Sequence, residues 1–438
     1  MMRFVSRSAT KVSANNIARS WPKRLISVAG IASLALLAGC TAGGSGSGSS
    51  GAASGTITLW ARDSEQGFIS QLAGLYNKSH KAQVKVTIIP AANFVQKLGT
   101  ATASGAGPDV ASIDLVYAPY FASKGALRDI TDLTNSLKYK SSLSPSHMNQ
   151  GKYNGKQYAL PFSAEASAVY YNKDLFKKAG IAAPPKTFEE FRADAKKITA
   201  LGNGIHGFTF AGACGGCNVF EFAPHIWASG GTVLSSDGKK ATLDTPQVAD
   251  ALNLYRDMVQ DGSVPSAAKT DAGTQQIPLF TSGKVGMVTL GAFAIPTMQK
   301  AKVNFGVTPI PGKDGGSSSF AGGDVIAGMS STKNAAATDS FLKWSTDTQA
   351  QTFLAKNGSI PIRTDLLPTI YDNQGPAYKQ FGDLLAIGKT PYSTQENAVF
   401  NDNNGPWVKM INDAAYGPSV ASAQSAGQKA AQALLAQG

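Results

Sequence analysis

TITLWARDSEQGFISQLAGLYNKSHKAQVKVTIIPAANFVQKLGTATASGAGPDVASIDL, residues 56–115, is the stretch that decides the fold. Residues 56–60 are β-rich, 84–88 alternate apolar with polar side chains, and 109–115 form a third apolar run, which predicts three strands. The segments between them have helical character: apolar residues recur at helical spacing from Phe68 to Tyr76, and 94–103 suits a second helix. Because strands that alternate with helices are joined by crossovers into a parallel sheet, we predict an α/β core.

Helix signals continue along the rest of the chain. Asn172 is placed to cap a helix over 173–179, Thr187 opens a capping box, and Thr245 precedes a proline that starts another helix. Further helices are predicted at 335–346, 348–356 and 419–437. About 380 residues follow position 55, which is more than one core usually supports, so we expect two domains.

The first forty residues indicate export. Six Lys or Arg residues and no acid precede Cys40, and the apolar run 25–38 is shorter than the roughly 20 residues that span a bilayer. The end of this run, LAGC at 37–40, resembles the bacterial lipobox and implies a signal peptide over 1–39 and a lipid on Cys40; the alternative is an ordinary signal peptide with a chance cysteine. Residues 41–55 are almost wholly Gly, Ser, Ala and Thr, as in a flexible tether.

Charge and motifs exclude several classes of function. The full chain has 40 Lys and Arg residues against 28 Asp and Glu, a net charge of +12. Without the six basic residues of the leader, 34 basic residues remain against 28 acidic ones, and they are spread without long runs of like charge. Nucleic-acid binding is therefore not expected. Nor is catalysis, a metal site or a cofactor, because no GxSxG, HExxH or P-loop motif occurs. Cys214 and Cys217 predict a disulfide outside the cytoplasm, with a redox motif or half a metal site as alternatives.

Several segments together carry a family resemblance. GKQYALP at 155–161, YYNKDLFKKAG at 170–180 and PPKTF at 184–188 resemble the signature of the extracellular solute-binding proteins of carbohydrate ABC importers, the maltodextrin-binding-protein family. GPDV at 107–110, SGG at 229–231 and NGSIPI at 357–362 agree with it. The similarity extends over nearly all of the chain after residue 55.

The resemblance implies an architecture of two α/β lobes, the periplasmic-binding-protein fold, with a hinge of about three crossings and a central ligand cleft. The crossings are expected near 163–168, 308–312 and 358–361. The N-terminal lobe then comprises 56–164 plus 311–357, and the C-terminal lobe 168–308 plus 361–438. The implied protein is a monomeric lipoprotein on the outer face of a Gram-positive type cell membrane, which binds a carbohydrate and delivers it to the transmembrane subunits of an ABC permease.

The same resemblance, together with the chemistry of sugars, suggests ligand-binding residues. Sugar hydroxyls pair with carboxylates and amides, and the C–H faces of sugar rings pack on aromatic rings. The positions that match the family pattern are Asp63, Ser64, Glu65, Asp114, Tyr117, Glu165, Asn218, Phe220, Phe293, Gly323, Asp324, Arg363, Asn401 and Trp407. Helix capping remains an alternative for Asp63 and Ser64, an internal ion pair for Glu165 and Arg363, and simple packing for the aromatic residues.

Two other classes of function remain open from the sequence. One is a binding protein for a non-sugar solute such as a polyol or a glycerol phosphodiester, although the matched positions are mainly acidic or neutral rather than basic. The other is a secreted glycosidase that uses Asp114 and Glu165 as its pair of carboxylates.

Overall fold

The computed structural model describes residues 53–438, so the expected signal peptide and Cys40 lie outside the described residues. Within 53–438 the strands are β1 (Gly55–Arg62), β2 (Ala82–Ile89), β3 (Val110–Asp114), β4 (Lys152–Tyr153), β5 (Lys156–Gln157), β6 (Leu160–Asn172), β7 (His206–Thr209), β8 (Val285–Gly291), β9 (Phe305–Thr308), β10 (Ile310–Pro311), β11 (Ser317–Ser318) and β12 (Ala321–Gly328). None of the described helices is both long and apolar enough to span a membrane.

The helices surround these strands. They are α1 (Ile69–Ser79), α2 (Ala91–Ala103), α3 (Ala118–Ser123), α4 (Thr131–Asn135), α5 (Pro145–Gln150), α6 (Lys173–Lys178), α7 (Phe188–Thr199), α8 (Gly215–Ala228), α9 (Pro246–Gln260), α10 (Gln276–Thr281), α11 (Ile295–Lys300), α12 (Ala335–Ser345), α13 (Thr348–Lys356), α14 (Leu367–Ile370), α15 (Pro376–Ile387), α16 (Pro406–Tyr416) and α17 (Val420–Leu435). The predicted caps are confirmed at Asn172, whose side chain accepts from two backbone N–H groups of α6, and at Thr187, whose hydroxyl accepts from the Glu190 N–H.

One eight-stranded sheet runs through the described chain, in the order β2-β1-β3-β12-β6-β8-β7, and β9 also pairs with β6. The β1–β2, β1–β3 and β7–β8 pairs are parallel, whereas β12 runs antiparallel to both β3 and β6. The parallel sheet predicted from residues 56–115 is therefore confirmed. Its strand β3 is buried on both faces, as helices on both sides of a parallel sheet require.

Strand β6 belongs to both halves of this sheet. Its first part pairs with β12, up to Ala166, and its second part pairs with β8 and β9 from Ser167 onward. The change of partner falls within the first predicted crossing. Hydrogen bonds of the buried Ser167 and Ser319 hold this point in place. The Ser167 backbone N–H donates to the Ser319 hydroxyl at 2.9 Å and to the Phe320 carbonyl at 3.2 Å. The Ser319 hydroxyl donates to the Ser167 carbonyl at 2.9 Å, and the Phe320 N–H donates to the Ser167 hydroxyl at 2.8 Å.

The other two crossings are expected at 308–312 and 358–361. Residues 310–318, which the sequence assigns largely to the N-terminal lobe, form the β10–β11 hairpin and pack against α8, because the glycine-rich turn at 312–316 folds the chain back. Ser319 and Phe320 then contact Ser167, where β6 changes partner, and β12 follows from Ala321. Near the third predicted crossing, Ile360 exchanges backbone hydrogen bonds with Ala164 on β6. A further segment of the chain lies beside Phe320, where Lys389 forms a parallel β-bridge with it.

Candidate ligand-binding cleft

A cleft of about 710 Å³ opens where these crossings meet. One wall comes from the loops after β1 and β3 together with β6 and β12, and the opposite wall comes from α8, the turn after β8 and the segment before α16. Its lining residues are Arg62, Ser64, Glu65, Gly67, Phe68, Asp114, Val116, Ser163, Glu165, Gly216, Val219, Phe220, Phe293, Pro296, Phe320, Gly322, Gly323, Asp324, Asn357, Gly358, Ser359 and Asn401. Loops at the carboxyl ends of parallel strands are the expected place for a ligand site in an α/β sheet.

Arg62 lies at the centre of the first wall. It is the last residue of β1, and its guanidinium forms ion pairs with Asp114 at the end of β3, at 2.9 Å, and with Asp324 on β12. The two aspartates are directly opposed across the β3–β12 ladder. Burial alone would lower the pKa of Arg62, but Asp324, Asp114 and Glu65 together raise it, so the guanidinium stays charged.

Glu65 completes this group from the short 3₁₀ turn Asp63–Glu65. Its carboxylate accepts the Ser112 hydroxyl at 2.7 Å and the Arg62 backbone N–H at 3.1 Å, and the residue is only 2% exposed. Burial, reinforced by the nearby Asp324 carboxylate, raises its pKa above the usual range, although Arg62 partly opposes this. Asp324 in turn accepts the Ser163 hydroxyl at 3.0 Å. The wall is thus a connected polar network with one cation.

Glu165 lies beyond this network, on the part of β6 that faces Gly322 of β12. Its Oε2 atom is buried and has no hydrogen-bond partner among residues 53–438. Burial raises the pKa of this carboxyl to about 8, and the backbone N–H groups of Phe293 and Ala292 offset only part of the effect. A free acceptor that faces a cleft is a group that a ligand can satisfy.

The strand pairing behind these carboxylates depends on one glycine. Gly323 has φ +119°, and a Cβ there would lie 2.2 Å from the Ser163 carbonyl oxygen. Any other residue would force β6 and β12 apart. The neighbouring Gly322 carbonyl is held at 2.9 Å by the ring of buried His147, and burial lowers the pKa of this histidine to about 4, so the ring is neutral.

Aromatic rings supply the apolar surface of the cleft. Phe220 of α8 and Phe320, which precedes β12, contact each other with ring centroids 5.5 Å apart. Phe293 lies in the turn after β8 and is 50% exposed, one of the few large apolar side chains of the described chain that face solvent. An exposed ring beside buried carboxylates suits a ligand with both polar hydroxyls and apolar C–H faces.

The structure brings most of the predicted site residues to this cleft. Those that line it are Ser64, Glu65, Asp114, Glu165, Phe220, Phe293, Gly323, Asp324 and Asn401. Those that it does not bring there are Asp63, Tyr117, Asn218, Arg363 and Trp407. Each of these five has an internal partner instead.

Three of the five side chains have polar internal partners. The carboxylate of Asp63 accepts the Ala91 N–H at 3.0 Å at the start of α2, which is the helix-capping alternative. Asn218 is fully buried and donates to backbone carbonyls at 2.8 Å within its own helix region. Arg363 pairs with Asp365 and its guanidinium lies 4.0 Å from the centre of a tyrosine ring.

The other two are aromatic. Trp407 is 0% exposed and packs edge-on against Phe222 and Phe400, so it belongs to the core. Tyr117 is half-buried against the core beside Asp114, and burial raises its pKa to about 12. Burial in the core therefore separates Trp407 from the site.

Four lining residues were absent from the sequence prediction and are central to the geometry: Arg62, Phe68, Ser163 and Phe320. Arg62 directly precedes the predicted binding residues Asp63, Ser64 and Glu65. A basic residue at the end of the first strand, next to these residues, could have indicated that it also belongs to the site. Phe320 directly precedes the Ala-Gly-Gly-Asp segment, where an aromatic residue beside glycines marked a close approach. Phe68 was assigned to the buried face of α1 by its spacing.

The cysteine pair forms a disulfide, Cys214–Cys217, at the start of α8. Between the two cysteines, Gly215 packs so closely on the Asn401 backbone that a Cβ would lie 2.6 Å from its carbonyl oxygen, and Gly216 lines the cleft. The disulfide therefore closes the turn that carries one edge of the cleft. Among the described residues, no group of three or more His, Cys, Asp or Glu side chains is arranged to hold a metal ion.

Known proteins are similar to this chain in sequence and in fold. The model of the family described as bacterial extracellular solute-binding protein matches residues 62–352. Diacetylchitobiose binding protein DasA of Streptomyces coelicolor is 30% identical over 401 residues, 87% of this chain and 92% of that protein. A binding protein of Brucella abortus is 32% identical over 250 residues, 56% of this chain, so the chain matches only 60% of that relative's length.

The structural comparison gives the same architecture. The GacH receptor of Streptomyces glaucescens, solved unliganded and in complex with acarbose, superposes with a TM-score of 0.76 at 25% identity, covering 87% of this chain and 99% of the receptor. The GacH receptor and the other similar solved structures are two-lobed binding proteins, so the expected two-lobed α/β fold is confirmed. The cleft described above lies between the two lobes.

Proposed function

Because the chain belongs to the bacterial extracellular solute-binding proteins, we propose that it captures a sugar or oligosaccharide in its cleft and delivers it to the permease of an ABC importer. The observation that carries this proposal is the combination of buried carboxylates with the half-exposed Phe293 ring in one cleft. Carboxylates match sugar hydroxyls, and the ring matches the C–H face of a pyranose. The names of the relatives, which refer to diacetylchitobiose and maltotriose, agree with this class of ligand.

A phosphate ester or other anion suits the cleft less well. Its single cation among the described lining residues is Arg62, which is already paired with Asp114 and Asp324. An anionic ligand would have to displace one of these carboxylates and would meet the others unpaired, at a cost in affinity.

Attachment to the membrane is part of the proposal. The lipobox at 37–40 supports a lipid on Cys40, and the tether at 41–55 lets the binding unit reach a permease in the same membrane. Confinement near the permease raises the effective concentration of the loaded receptor. The protein itself performs no turnover in this scheme, as its family of substrate-binding proteins suggests.

A thermal-shift panel tests the proposal. A bound saccharide raises the melting temperature by mass action, and we expect at least one mono- or oligosaccharide to do so. Stabilisation by a phosphate ester and by none of the saccharides would contradict the sugar assignment. Hydrolysis of an oligosaccharide that disappears in Glu165→Gln would instead identify a glycosidase.

A further inference from the structure

We infer that the saccharide held in this cleft carries a protonated amine and that Glu165 is the residue that binds this amine. The inference rests on the proposed function, because it specifies which class of sugar the same cleft takes. It concerns a group of the ligand that neither the fold nor the proposed transport role requires.

The charges of the cleft are out of balance. Four carboxylates line it, those of Glu65, Asp114, Glu165 and Asp324, against the single guanidinium of Arg62. Among the described lining residues there is no lysine or histidine. Arg62 acts on Glu65 as well as on the two aspartates that it pairs with, so Glu165 is the lining carboxyl group that has no cation of the described chain beside it.

Glu165 is the carboxylate with the least internal support. Both carboxylate oxygens of Glu65 and of Asp324 have partners. Glu165 has the backbone N–H groups of Phe293 and Ala292 at its carboxyl group, but its Oε2 has no partner among the described residues. The titratable groups that influence it are Asp324, Tyr170 and Tyr371, and none of them is basic. Tyr170 is not free to help, because its hydroxyl donates to the Gly291 carbonyl at 2.7 Å. An ammonium group supplies both the missing charge and the missing donors.

The position of the Phe293 ring also supports an amine near Glu165. A Cβ built on Gly291 would lie 2.6 Å from the Phe293 ring and 2.8 Å from Oε2 of Glu165, so ring and carboxylate converge above this glycine. A sugar that stacks on the ring therefore places a substituent at the carboxylate. If that substituent is a cation, the face of the ring attracts it as well.

The protonation state of Glu165 agrees with this reading. Burial raises its pKa to about 8, so the empty cleft holds the carboxyl mostly protonated at neutral pH. A bound ammonium stabilises the carboxylate and lowers that pKa. Binding of an amino sugar at pH 7 should therefore release about one proton to the buffer, whereas a neutral sugar should release almost none.

Three disaccharides that differ at one substituent provide the probe. β-1,4-linked glucosamine disaccharide, its N,N′-diacetyl form and cellobiose carry an amine, an acetamide and a hydroxyl at carbon 2. Calorimetric titration uses the full-length protein in a detergent without a sugar headgroup, at a pH where the amine is protonated and in buffers of different ionisation enthalpy. We expect the amine to bind at least about tenfold more tightly than cellobiose, with proton release.

Two isosteric variants assign the effect to its residue. Glu165→Gln should reduce the amine-to-hydroxyl affinity ratio to about one and abolish the proton release. Glu221→Gln is the matched control, because Glu221 is also a buried carboxyl group with a pKa raised to about 8 but lies on α8 outside the cleft lining. Its amine-to-hydroxyl affinity ratio should match wild type.

The outcomes separate the two proposals. If cellobiose or the diacetyl form binds as tightly as the amine, or if the preference for the amine persists in Glu165→Gln, the inference is overturned while the sugar-binding function stands. If none of the three disaccharides nor any other saccharide of the panel binds, the proposed function fails and the inference fails with it.

Discussion

Replacing Arg62 by methionine removes the only cation of the carboxylate network while keeping a side chain of similar length. In the wild type the guanidinium lies between Asp114 and Asp324, which face each other as cross-strand partners on β3 and β12. Without it, two carboxylates oppose each other near a third, Glu65, in a largely buried place. We therefore expect this substitution to destabilise the fold well beyond the loss of a surface ion pair.

The size of the effect follows from burial. At an effective dielectric constant of about 20, a pair of opposite charges about 3 Å apart contributes roughly 5 kcal/mol of Coulomb energy. Removal of one partner of a buried pair typically costs about 3 to 5 kcal/mol. The Asp324 side chain is 9% exposed but that of Asp114 is 32% exposed, so water screens part of the repulsion. We expect a loss of about 3 kcal/mol at pH 7, at the lower end of that range.

The loss should depend on pH in a definite direction. Without Arg62, burial and the neighbouring Asp324 carboxylate act unopposed on Asp114 and raise its pKa in the folded variant above that of the unfolded chain. A folded state with raised carboxyl pKa values takes up protons first as the pH falls, so the penalty is full at neutral pH and disappears toward acid. The difference from wild type should fall below about 1 kcal/mol near pH 4.

Urea unfolding of both proteins at pH 7 and pH 4 measures this difference. The matched control is Arg192→Met, because Arg192 also bridges two aspartates, Asp257 at 2.6 Å and Asp261 at 2.7 Å, but on the surface with its side chain 38% exposed. That substitution should cost less than about 1 kcal/mol. Equal losses for the two variants, or a loss for Arg62→Met that does not shrink in acid, would refute the reasoning.

Four further predictions follow from other parts of the chain. Burial raises the pKa of Glu221 from 4.5 to about 8, so its ionisation costs stability as pH rises through this interval; Glu221→Gln should gain on the order of 3 kcal/mol over wild type between pH 5 and pH 8 in urea unfolding, and parallel pH profiles would contradict this. Phe293→Ala should weaken saccharide binding about tenfold in calorimetry while changing the unfolding free energy by less than about 0.5 kcal/mol, because the ring is half exposed. Replacing both Cys214 and Cys217 by serine should weaken binding several-fold, since their turn carries Gly216 at the cleft; unchanged affinity would show that α8 holds the turn alone. Cys40→Ala should release the protein into the medium without changing ligand affinity, which fractionation and titration of the released protein check.

The elements that local patterns specify were predictable from the sequence. The strands and helices of 56–115 and the caps at Asn172 and Thr187 depend on residues only a few positions apart, so spacing and side-chain type are sufficient. Asp114 at the end of β3 was predictable for a related reason, whereas Asp324 was suggested by the family resemblance. An acidic residue next to an apolar strand needs a partner, and the end of the strand is where a ligand or an ion pair can supply one.

What the sequence did not show depends on distant parts of the chain. The ion pairs of Arg62 join residues 52 and 262 positions away, and nothing near Arg62 indicates them. Trp407 and Phe293 are both large aromatic residues in segments that resemble ligand-binding ones, yet one is 0% and the other 50% exposed. Their roles differ because of what packs around them, which a single sequence does not reveal.

The crossings described above also bear on how the protein survives outside the cell. Proteases cut extended, accessible backbone, and in many two-lobed proteins the connecting segments are the first to be cut. Here the chain passes between the lobes as β6, most of which is buried, through the fully buried Ser319 and Ala321, and beside buried Ile360. At these three places the connection between the lobes exposes little backbone that a protease could bind. The connections between the lobes are therefore poor substrates for a protease.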